Sequence, residues 1–350
     1  MKRVYLDHNS TTNLRPEASR AMLDAMNCLG NPSSVHFEGR MAKSLLENAR
    51  DSLGESLGCR PSSIVFTSGA TEAASIALNT YKIQCSGVEH DAIKSLCEQT
   101  LTTYASGEIL VEDPSTCAVQ LANSETGILQ ELPKDIFLSD VTQAVGKIPF
   151  SFEWLGAKRV IVSAHKFGGP KGIGALIMEE GEGTPLLPLI IGGGQEMGRR
   201  SGTENIIGAV GMAAAASSAL VDLEQGVWNE VEKLRNVLEN SIEESLNETI
   251  FVGRGTKRLP NTSLIVNPGW SGETQVIQLD LAGYAVSAGS ACSSGKVKAS
   301  AVLQSMGLDS EQASCGLRVS LGPQTTIEDI NGFVKAYCDA GKKVMSRKKA

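Results

Sequence analysis

A lysine lies in a glycine-rich stretch directly after a short apolar strand. Residues 158–162 predict a buried strand, because three β-branched residues follow two basic ones. Lys166 comes soon after it, beside His165 and near Ser163, and the glycines and proline of residues 168–172 end regular structure. A lysine held there loses solvation and has a lowered pKa, which Schiff-base chemistry requires. A lone loop lysine is more commonly a surface charge, so its neighbours must decide between the two interpretations.

An aspartate ends another candidate strand. Residues 136–139 are mainly apolar, Asp140 follows them, and Gln143 comes about one helical turn later. A carboxylate at a buried strand end costs free energy unless it meets a cation. A protonated pyridine nitrogen is such a cation, and an aspartate partner for it recurs in pyridoxal phosphate sites. Asp140 could equally cap a helix, and on its own it leaves both interpretations open.

A third stretch has the pattern of an anion cradle. The apolar residues 64–66 lead directly into the small residues of Thr67-Ser-Gly-Ala-Thr-Glu72 and then into an alanine-rich segment. A strand, a tight turn and a helix start leave backbone N–H groups and the positive end of the helix dipole facing an anion. Many α/β proteins turn in this way for packing alone, so the signal is weak by itself. It is not a Walker A loop.

Composition and charge restrict the class of protein. The chain has 350 residues, 41% of them hydrophobic, and 36 glycines, which is typical of a two-domain α/β enzyme. The net charge of −7 argues against nucleic-acid binding as the main function. We expect no membrane-spanning run and no signal peptide. The eight cysteines form no C-x-x-C pair, which predicts free thiols in a reducing cytoplasm and no metal site.

Strands and helices alternate along the chain, which predicts an α/β fold with a mostly parallel sheet between helices. A helical region runs from Thr203 towards Leu246 and is broken near Gly226. We therefore expect a large domain of residues 13–225 and a smaller α+β domain of residues 1–12 and 226–350. A helix is predicted to start at Pro16 and a strand is predicted at Val286-Ser287. The last helix is predicted to start at Thr326, where Asp329 has capping-box spacing.

Several segments together resemble one family. The first two are Asp140-Val-Thr-Gln143-Ala-Val-Gly-Lys and Ser163-Ala-His165-Lys166. The others, in chain order, are 5–12, 31–36, 67–73, Glu89-His90, Asn123-Ser-Glu-Thr-Gly127, 192–196, 200–205 and 317–322. As a set they resemble the cysteine desulfurases, which belong to the class V aminotransferase group of fold-type I enzymes that use pyridoxal 5'-phosphate (PLP). The likeness covers nearly the whole chain and implies that fold, with a seven-stranded type of sheet in the large domain.

The resemblance implies roles around the cofactor. Lys166 would form the Schiff base with PLP and later carry the substrate α-proton. Asp140 would keep the pyridinium nitrogen protonated, Gln143 would hydrogen-bond the ring hydroxyl, and His90 would stack on the ring. A lone histidine such as His90 is more often a satisfied core residue. The PLP phosphate would be surrounded by Ala70, Thr71, Ser163 and His165, and by Thr203 of the other subunit of an obligate homodimer.

The resemblance also implies a substrate and a nucleophile. Asn123 and Arg318 would hold the carboxylate of L-cysteine, and the planar fork of arginine suits bidentate carboxylate binding. The alternative for Arg318 is an ordinary surface ion pair. Cys292 lies in the small-residue stretch 287–295, followed by two lysines that favour a thiolate. It would take the sulfur as a persulfide and release L-alanine. The other seven cysteines are interpreted as buried and inert.

The sequence departs from the family pattern at particular places. His8 stands where relatives often have Tyr or Asn, Leu121 where they often have histidine, and the segment between His90 and Asn123 is shorter than usual. Relatives that deliver sulfur to an iron–sulfur scaffold carry a longer C-terminal extension, so docking to such a scaffold is in doubt. We expect a sulfur-acceptor protein of unidentified kind, which serves iron–sulfur cluster, thio-cofactor or tRNA biosynthesis.

Rival functions remain open at this stage. Selenocysteine lyase and a class V aminotransferase share the expected fold, and replacing Cys292 separates the second of them from a desulfurase. A catalytically silent assembly subunit is disfavoured because Lys166, Asp140 and Arg318 are all present. A nicotinamide dehydrogenase is disfavoured because no G-x-G-x-x-G follows the first strand.

Overall fold

A computed structural model describes residues 3–179, 186–289 and 299–346, together with the backbone of 347–349. Its strands are β1 Val4–Tyr5, β2 Ile64–Thr67, β3 Gln84–Ser86, β4 Glu98–Leu101, β5 Cys117–Ala118, β6 Ser139–Asp140, β7 Arg159–Ser163, β8 Gly174–Met178, β9 Ile250–Val252, β10 Thr262–Val266, β11 Tyr284–Ala285 and β12 Gly316–Ser320. Its helices are α1 Pro16–Met26, α2 Phe37–Leu57, α3 Ala70–Leu78, α4 Asp91–Lys94, α5 Phe152–Leu155, α6 Ile206–Glu224, α7 Val227–Ser245, α8 Gly272–Leu281, α9 Ala301–Ser305, α10 Ser310–Ser314 and α11 Ile327–Lys349.

Seven strands lie side by side in the order β2-β8-β7-β6-β5-β3-β4. A parallel bridge between Ala118 and Leu138 joins β5 to the chain just before β6. Strand β8 is antiparallel to both of its neighbours, and the other six strands run in one direction. The expected α/β fold with a mostly parallel seven-stranded sheet is confirmed.

The direction of the strands decides where the chemistry can lie. Strands β2, β6 and β7 run the same way, so their carboxyl ends at Thr67, Asp140 and Ser163 meet at one edge of the sheet. Ligands of open α/β sheets bind in the crevice outside these strand ends. The strands themselves are buried and apolar, as Arg159–Ser163 shows along its whole length.

A second layer is built from the C-terminal part of the chain. Strands β12, β10 and β9 form an antiparallel sheet, and β1 pairs with β11. Trp270, Phe333 and Tyr337 pack in a cluster of buried residues that is separate from the clusters around the large sheet. Gly226, in the left-handed region at φ 71°, separates α6 from α7. The domain boundary at residue 226 stays a prediction that this separation supports.

The start of a helix was predicted correctly where a particular residue type has a known preference for that position. Helix α1 begins at Pro16, and Thr326 and Asp329 exchange backbone-to-side-chain hydrogen bonds of 3.2 Å at the start of α11, as expected. The strand expected at Val286-Ser287 is instead β11, two residues earlier, and only a bridge from Ser287 to Arg318 follows it. Helix α8 was not predicted, because its apolar residues lack a regular period.

Two other expectations are wrong. Helix α6 is long and apolar enough to cross a membrane, with a mean hydropathy of 1.8, although no such run was expected. It packs against α1 and α2 and contributes to the core beside the large sheet, as a core helix does. Cys28, Cys59 and Cys97 are only half-buried, whereas Cys85, Cys117, Cys315 and Cys338 are buried as expected. Cys28 and Cys59 lie just after the ends of α1 and α2, and Cys97 lies just before β4, where the chain is partly open to water.

Candidate active site

A cavity of about 690 Å³ lies at the carboxyl edge of the large sheet. It is bounded by the ends of β6 and β7, the first residues of α3 and α4, the segment 9–11, and Arg318 of β12. The expected site residues that line it are Ala70, Thr71, His90, Asp140, Gln143, Ser163, His165, Lys166 and Arg318. Residues far apart in the sequence are therefore brought to one place.

Lys166 lies in a helical turn that follows β7, half-buried at the floor of this cavity. Its Nζ donates 2.7 Å hydrogen bonds to the carbonyl oxygens of Asn9 and Ser10. A surface lysine would not be held by two main-chain acceptors, so the interpretation of Lys166 as a surface charge is wrong. The amine is aimed into a cavity with room for a carbonyl compound.

A buried polar network supports this lysine from one side. Asn9 is 1% exposed, and its carbonyl also accepts from Gln143 Nε2 at 2.9 Å. Lys147 Nζ donates to Gln143 Oε1 at 2.6 Å and to Asn9 Oδ1 at 3.2 Å. The Asn9 amide donates in turn to Thr262 Oγ1 and to the carbonyl of Ser124. This wall of the cavity is hydrogen-bonded before any ligand arrives.

Asp140 ends β6, and its Oδ1 accepts from the backbone N–H of Thr142 at 2.9 Å. A series of turns follows it, so the alternative of a helix N-cap at Asp140 is wrong. The carboxylate is half-buried and lines the cavity, where it can pair with a cationic ring nitrogen. Its position at a parallel strand end explains why the sheet delivers it to the site.

The turn before α3 has the geometry of an anion cradle. The first backbone hydrogen bond of the helix runs from Ala73 N to Gly69 O, so the N–H groups of residues 70–72 precede it. A Cβ built on Gly69 would meet only the Ser163 hydroxyl, at 3.7 Å, across the space between the turn and β7. Open space that hydroxyls, backbone donors and a helix N-terminus line on two sides fits a phosphate group.

His165 completes this end of the cavity with a neutral ring. Its Nδ1 lies 3.1 Å from Thr11 Oγ1. Burial, helped by the positive charges of Lys166 and Lys171, lowers the pKa of His165 to about 4. The imidazole is therefore uncharged at neutral pH and offers a hydrogen bond rather than a charge.

His90 lines the cavity, next to the buried carboxyl group of Glu89. It caps α4, where its Nδ1 accepts from Ala92 N, and its ring is exposed to the cavity. A satisfied core histidine would be buried, so that alternative is wrong. Glu89, 2% exposed, accepts from Gln120 N at 2.9 Å, and its Oε2 has no partner within the described ranges. Burial above all, and the nearby charge of Asp140, raises the pKa of Glu89 well above its usual range.

Arg318 reaches the cavity from the second sheet and is 7% exposed. Its Nη2 donates to Asp7 Oδ1 at 2.7 Å and to Ser10 Oγ at 2.9 Å, and its Nη1 donates to Ser124 O at 3.1 Å. The alternative of a surface ion pair is wrong, because Arg318 pairs with Asp7 but both side chains are largely buried. A fixed guanidinium of this kind is suited to binding a carboxylate.

The structure does not bring two of the expected residues to the cavity. Asn123 is 3% exposed and absent from the cavity wall, because its side chain is used by Val88 O and by the turn at Glu125 and Thr126. Thr203 is exposed and outside the cavity of its own chain. Cys292 lies outside the described residues.

Sequence reasoning missed four residues of this site: Asn9, Lys147, Glu89 and Asp7. Each lies inside a segment that resembles the family, but none of them was assigned a role in the site. A usable signal existed for Lys147, which follows Gln143 by four residues and therefore lies on the same side of a helical turn. The others depend on contacts between distant segments, which a sequence pattern does not contain.

Comparison with known proteins places this geometry in context. The family model "Aminotransferase class-V" matches residues 4–333. A curated cysteine desulfurase of Cereibacter sphaeroides is 38% identical over 96% of this chain and 95% of its own length. The X-ray structure of a NifS-like protein from Rickettsia africae ESF-5 superposes with a TM-score of 0.86, at 30% identity, covering 98% of this chain and 99% of that one. A structure of SspA in complex with cysteine has a TM-score of 0.73 at 26% identity and covers 92% of this chain and all of that one.

Proposed function

Because this chain belongs to the class V aminotransferase family and within it to the cysteine desulfurases, we propose that it binds PLP and converts L-cysteine to L-alanine. The sulfur is held as a persulfide on Cys292 and then passes to an acceptor protein. The observation that carries the proposal is the single cavity that gathers Lys166, Asp140, His90 and Arg318 around an anion cradle.

The residues present fit PLP at each of its polar groups. The turn at Gly69, with Thr71, Ser163 and His165, would hold the phosphate. Asp140 would pair with the ring nitrogen, and the amide of Gln143 would meet the ring hydroxyl. His90 presents its exposed ring to the cavity and would lie against the ring face. When bound, PLP supplies an electron-withdrawing ring that stabilises negative charge on the substrate Cα.

Lys166 is the group that would bond to the cofactor aldehyde and move a proton at the substrate Cα. Its two carbonyl partners, Asn9 and Ser10, fix where Nζ lies, and they can accept hydrogen bonds from the amine when it is released. A lysine placed in this way needs no second general base within the cavity. His165, whose pKa is lowered to about 4, is neutral beside it and does not compete as an acid at neutral pH.

Arg318 would bind the substrate carboxylate. Asp7 already accepts from one nitrogen of its guanidinium, and Ser287 Oγ donates to the second carboxylate oxygen of Asp7 at 3.0 Å. The ion pair holds the fork in one orientation, which reduces the ordering cost of binding. Asn123 is used inside its own turn and would act on the substrate only through the wall that it supports.

Cys292 is proposed as the nucleophile on the basis of the sequence and of its flanking residues. Gly289 on one side of the segment 290–298 and Ala301 on the other both line the cavity. Cys292 follows Gly289 by three residues, which span at most about 11 Å. In the reaction its thiolate would form the new S–S bond to the substrate sulfur while the Cβ–S bond breaks. The electron pair of that bond would stay with the carbon skeleton, which becomes alanine once Cβ and Cα have each taken up a proton.

A homodimer in the cytoplasm is also proposed. Thr203 is exposed on the chain and outside its own cavity, as a residue that serves a partner subunit would be. The helix α6 is a core helix between α1 and α2, so its apolar character needs no membrane. Analytical ultracentrifugation of the purified protein checks the dimer.

The decisive experiment measures L-alanine released from L-cysteine in the presence of a reducing thiol, for the wild type and Cys292→Ser side by side. Alanine from the wild type only, with a persulfide found on the Cys292 peptide by mass spectrometry, is the expected result. Equal alanine from both proteins would contradict the role of Cys292. Bound PLP without alanine from either protein, but with amino-group transfer to a keto acid, would identify an aminotransferase instead.

A further inference from the structure

Lys147 is a buried lysine whose amine pairs with no carboxylate among the residues that the structure describes. The side chain is 3% exposed, and its amine donates to two neutral amide oxygens, those of Gln143 and Asn9. The positive charges of Lys166 and Arg318 add to burial, and together they hold the pKa of Lys147 well below its usual range. Burying a lysine in this way is costly, so a site that keeps one needs a reason beyond packing.

The contacts of Lys147 determine the orientation of the Gln143 amide. An amide has an acceptor oxygen on one side and a donor NH₂ on the other. Lys147 donates to Oε1 at 2.6 Å, while Nε2 donates to the Asn9 carbonyl at 2.9 Å. The reverse orientation would place NH₂ against the Lys147 amine and Oε1 against a carbonyl oxygen, which loses both hydrogen bonds. Gln143 therefore keeps its donor group against the Asn9 carbonyl, which also accepts from Lys166, and all three residues line the cavity.

The same amine is connected to the reactive lysine through one residue. Lys147 contacts the side chain of Asn9, and the Asn9 carbonyl accepts from both Gln143 and Lys166. Asn261 Nδ2 donates at 3.0 Å to Asn9 Oδ1, the oxygen that also accepts from Lys147, so the Asn9 side chain is held from two directions. A shift of Lys147 thus reaches two groups of the site at once, without contacting the ligand itself.

We propose that Lys147 is a positioning residue of the desulfurase reaction, which holds Gln143 with its NH₂ group towards the cofactor oxygen and holds Asn9 against Lys166. An NH₂ group stabilises an oxygen that carries negative charge, whereas an amide oxygen would repel it. The ring oxygen next to the cofactor aldehyde is consequently bound as an acceptor. This inference rests on the proposed function for its cofactor, but the contact between Lys147 and Gln143 is a property of the chain alone.

The variants Lys147→Met and Lys147→Gln test the proposal in the PLP-loaded enzyme. Methionine has a similar shape without a donor, and a neighbouring cavity of about 270 Å³ that Lys147 also lines leaves room for it. We expect Lys147→Met to shift the absorbance band of bound PLP and to lower kcat about 10-fold to 100-fold, with KM for L-cysteine nearly unchanged. Glutamine can donate to Gln143 and should restore part of both properties. The exposed Lys134→Met is the matched control and should leave spectrum and kcat as in the wild type.

A double-mutant cycle with Gln143→Leu shows whether Lys147 acts through Gln143. If it does, Lys147→Met adds little further change to the spectrum when Gln143 is already replaced. The proposal would be overturned if Lys147→Met had its full, additive effect in the Gln143→Leu background. It would also be overturned if the spectrum and kcat of Lys147→Met were equal to those of Lys134→Met. A wild type that binds PLP but releases no alanine refutes the proposed function, and the spectra still decide on Lys147. If no PLP binds at all, the same double-mutant cycle is measured on the thermal unfolding midpoints of the apoprotein. We then expect the effects of the two substitutions not to be additive. Additive effects would contradict a stabilising contact between Lys147 and Gln143.

Discussion

The two walls of the cavity are built on opposite principles. On the wall of Asn9, Gln143 and Lys147, the polar side chains are hydrogen-bonded to one another before a ligand is present. On the wall of the α3 N-terminus and His90, backbone N–H groups of the first helical turn and an exposed ring face the cavity. The first wall is buried and hydrogen-bonded in advance, and the second is open.

The difference follows from what each wall has to do. The reacting atoms need fixed geometry, because small displacements of catalytic groups cost large factors in rate. The phosphate needs hydrogen-bond donors from which water is displaced at little cost in free energy. A helix N-terminus offers such donors without any rearrangement of side chains. Substitutions in the first wall should therefore change the rate of the chemical step, whereas those in the second should change the retention of PLP.

The largest effect is expected at Lys166. Lys166→Ala removes the only group proposed to bond to the cofactor aldehyde, so turnover should fall more than about 1000-fold. The absorbance band of the lysine-bound cofactor should vanish as well, which a spectrum of the protein loaded with PLP measures. A retained band or measurable wild-type-like turnover would contradict the assignment. Lys171→Ala, at an exposed lysine on the rim of the same cavity, should keep the band.

Asp140→Asn comes next. The amide keeps the oxygen that accepts from Thr142 N but loses the charge that pairs with the ring nitrogen. Leaving a buried cation without its partner costs about 3–5 kcal/mol, so kcat should fall about 100-fold to 1000-fold. PLP should remain bound through the open wall, which absorbance after dialysis checks. Near-normal turnover would show that the charge of Asp140 does not act on the cofactor.

This contrast also explains how far the sequence could lead. The parallel sheet, Pro16 at the start of α1, the capping box at Thr326 and the break at Gly226 follow from local rules, and they were predicted. Asp140 and Lys166 could be recognised because a strand end is visible in the sequence. The closed wall could not be predicted, because Asn9, Gln143 and Asn261 meet only after distant segments fold together.

Asn123 shows the opposite error. Its segment led to the expectation of a side chain directed to the substrate, yet Oδ1 accepts from Glu125 N and Thr126 N within its own turn. Asn side chains commonly bind the backbone two or three residues later, and that local preference is stronger here. A sequence motif marks a position but does not show which way its side chain faces.

The pH dependence of stability tests the closed wall through His8. His8 lies behind the closed wall, 8% exposed, with Nδ1 2.7 Å from Thr12 Oγ1. Burial, with the charge of Lys147, lowers the pKa of His8 to about 4, from 6.5 in the ordinary case. The unfolded chain therefore binds more protons between these values, and stability is lost as the pH falls from about 6.5 to about 4.

His8→Gln should remove this loss. Between neutral pH and about pH 4, both apoproteins lose free energy of unfolding. The loss should be about 2–3 kcal/mol smaller in His8→Gln than in the wild type. Urea unfolding at several pH values measures it. Equal acid limbs for His8→Gln and the wild type would show that His8 is not buried as a neutral ring.

The smallest effect is expected on the open wall itself. Thr71→Val keeps the shape of the second residue of α3 but removes its hydroxyl, which lines the cavity beside the free backbone donors. Because the N–H groups of residues 70–72 remain, the loss should be about 1 kcal/mol, or about fivefold weaker PLP retention, with kcat of the loaded enzyme unchanged. Equilibrium dialysis with PLP measures it.

The control for this variant is one turn further along the same helix. Ser75 donates to Thr71 O at 3.0 Å and does not line the cavity, so Ser75→Ala should retain PLP as the wild type does. A drop in kcat of loaded Thr71→Val, rather than in PLP retention, would mean that the open wall also orients the reacting atoms. The division of labour between the two walls would then fail, because a change at the phosphate end would be transmitted to the chemical step.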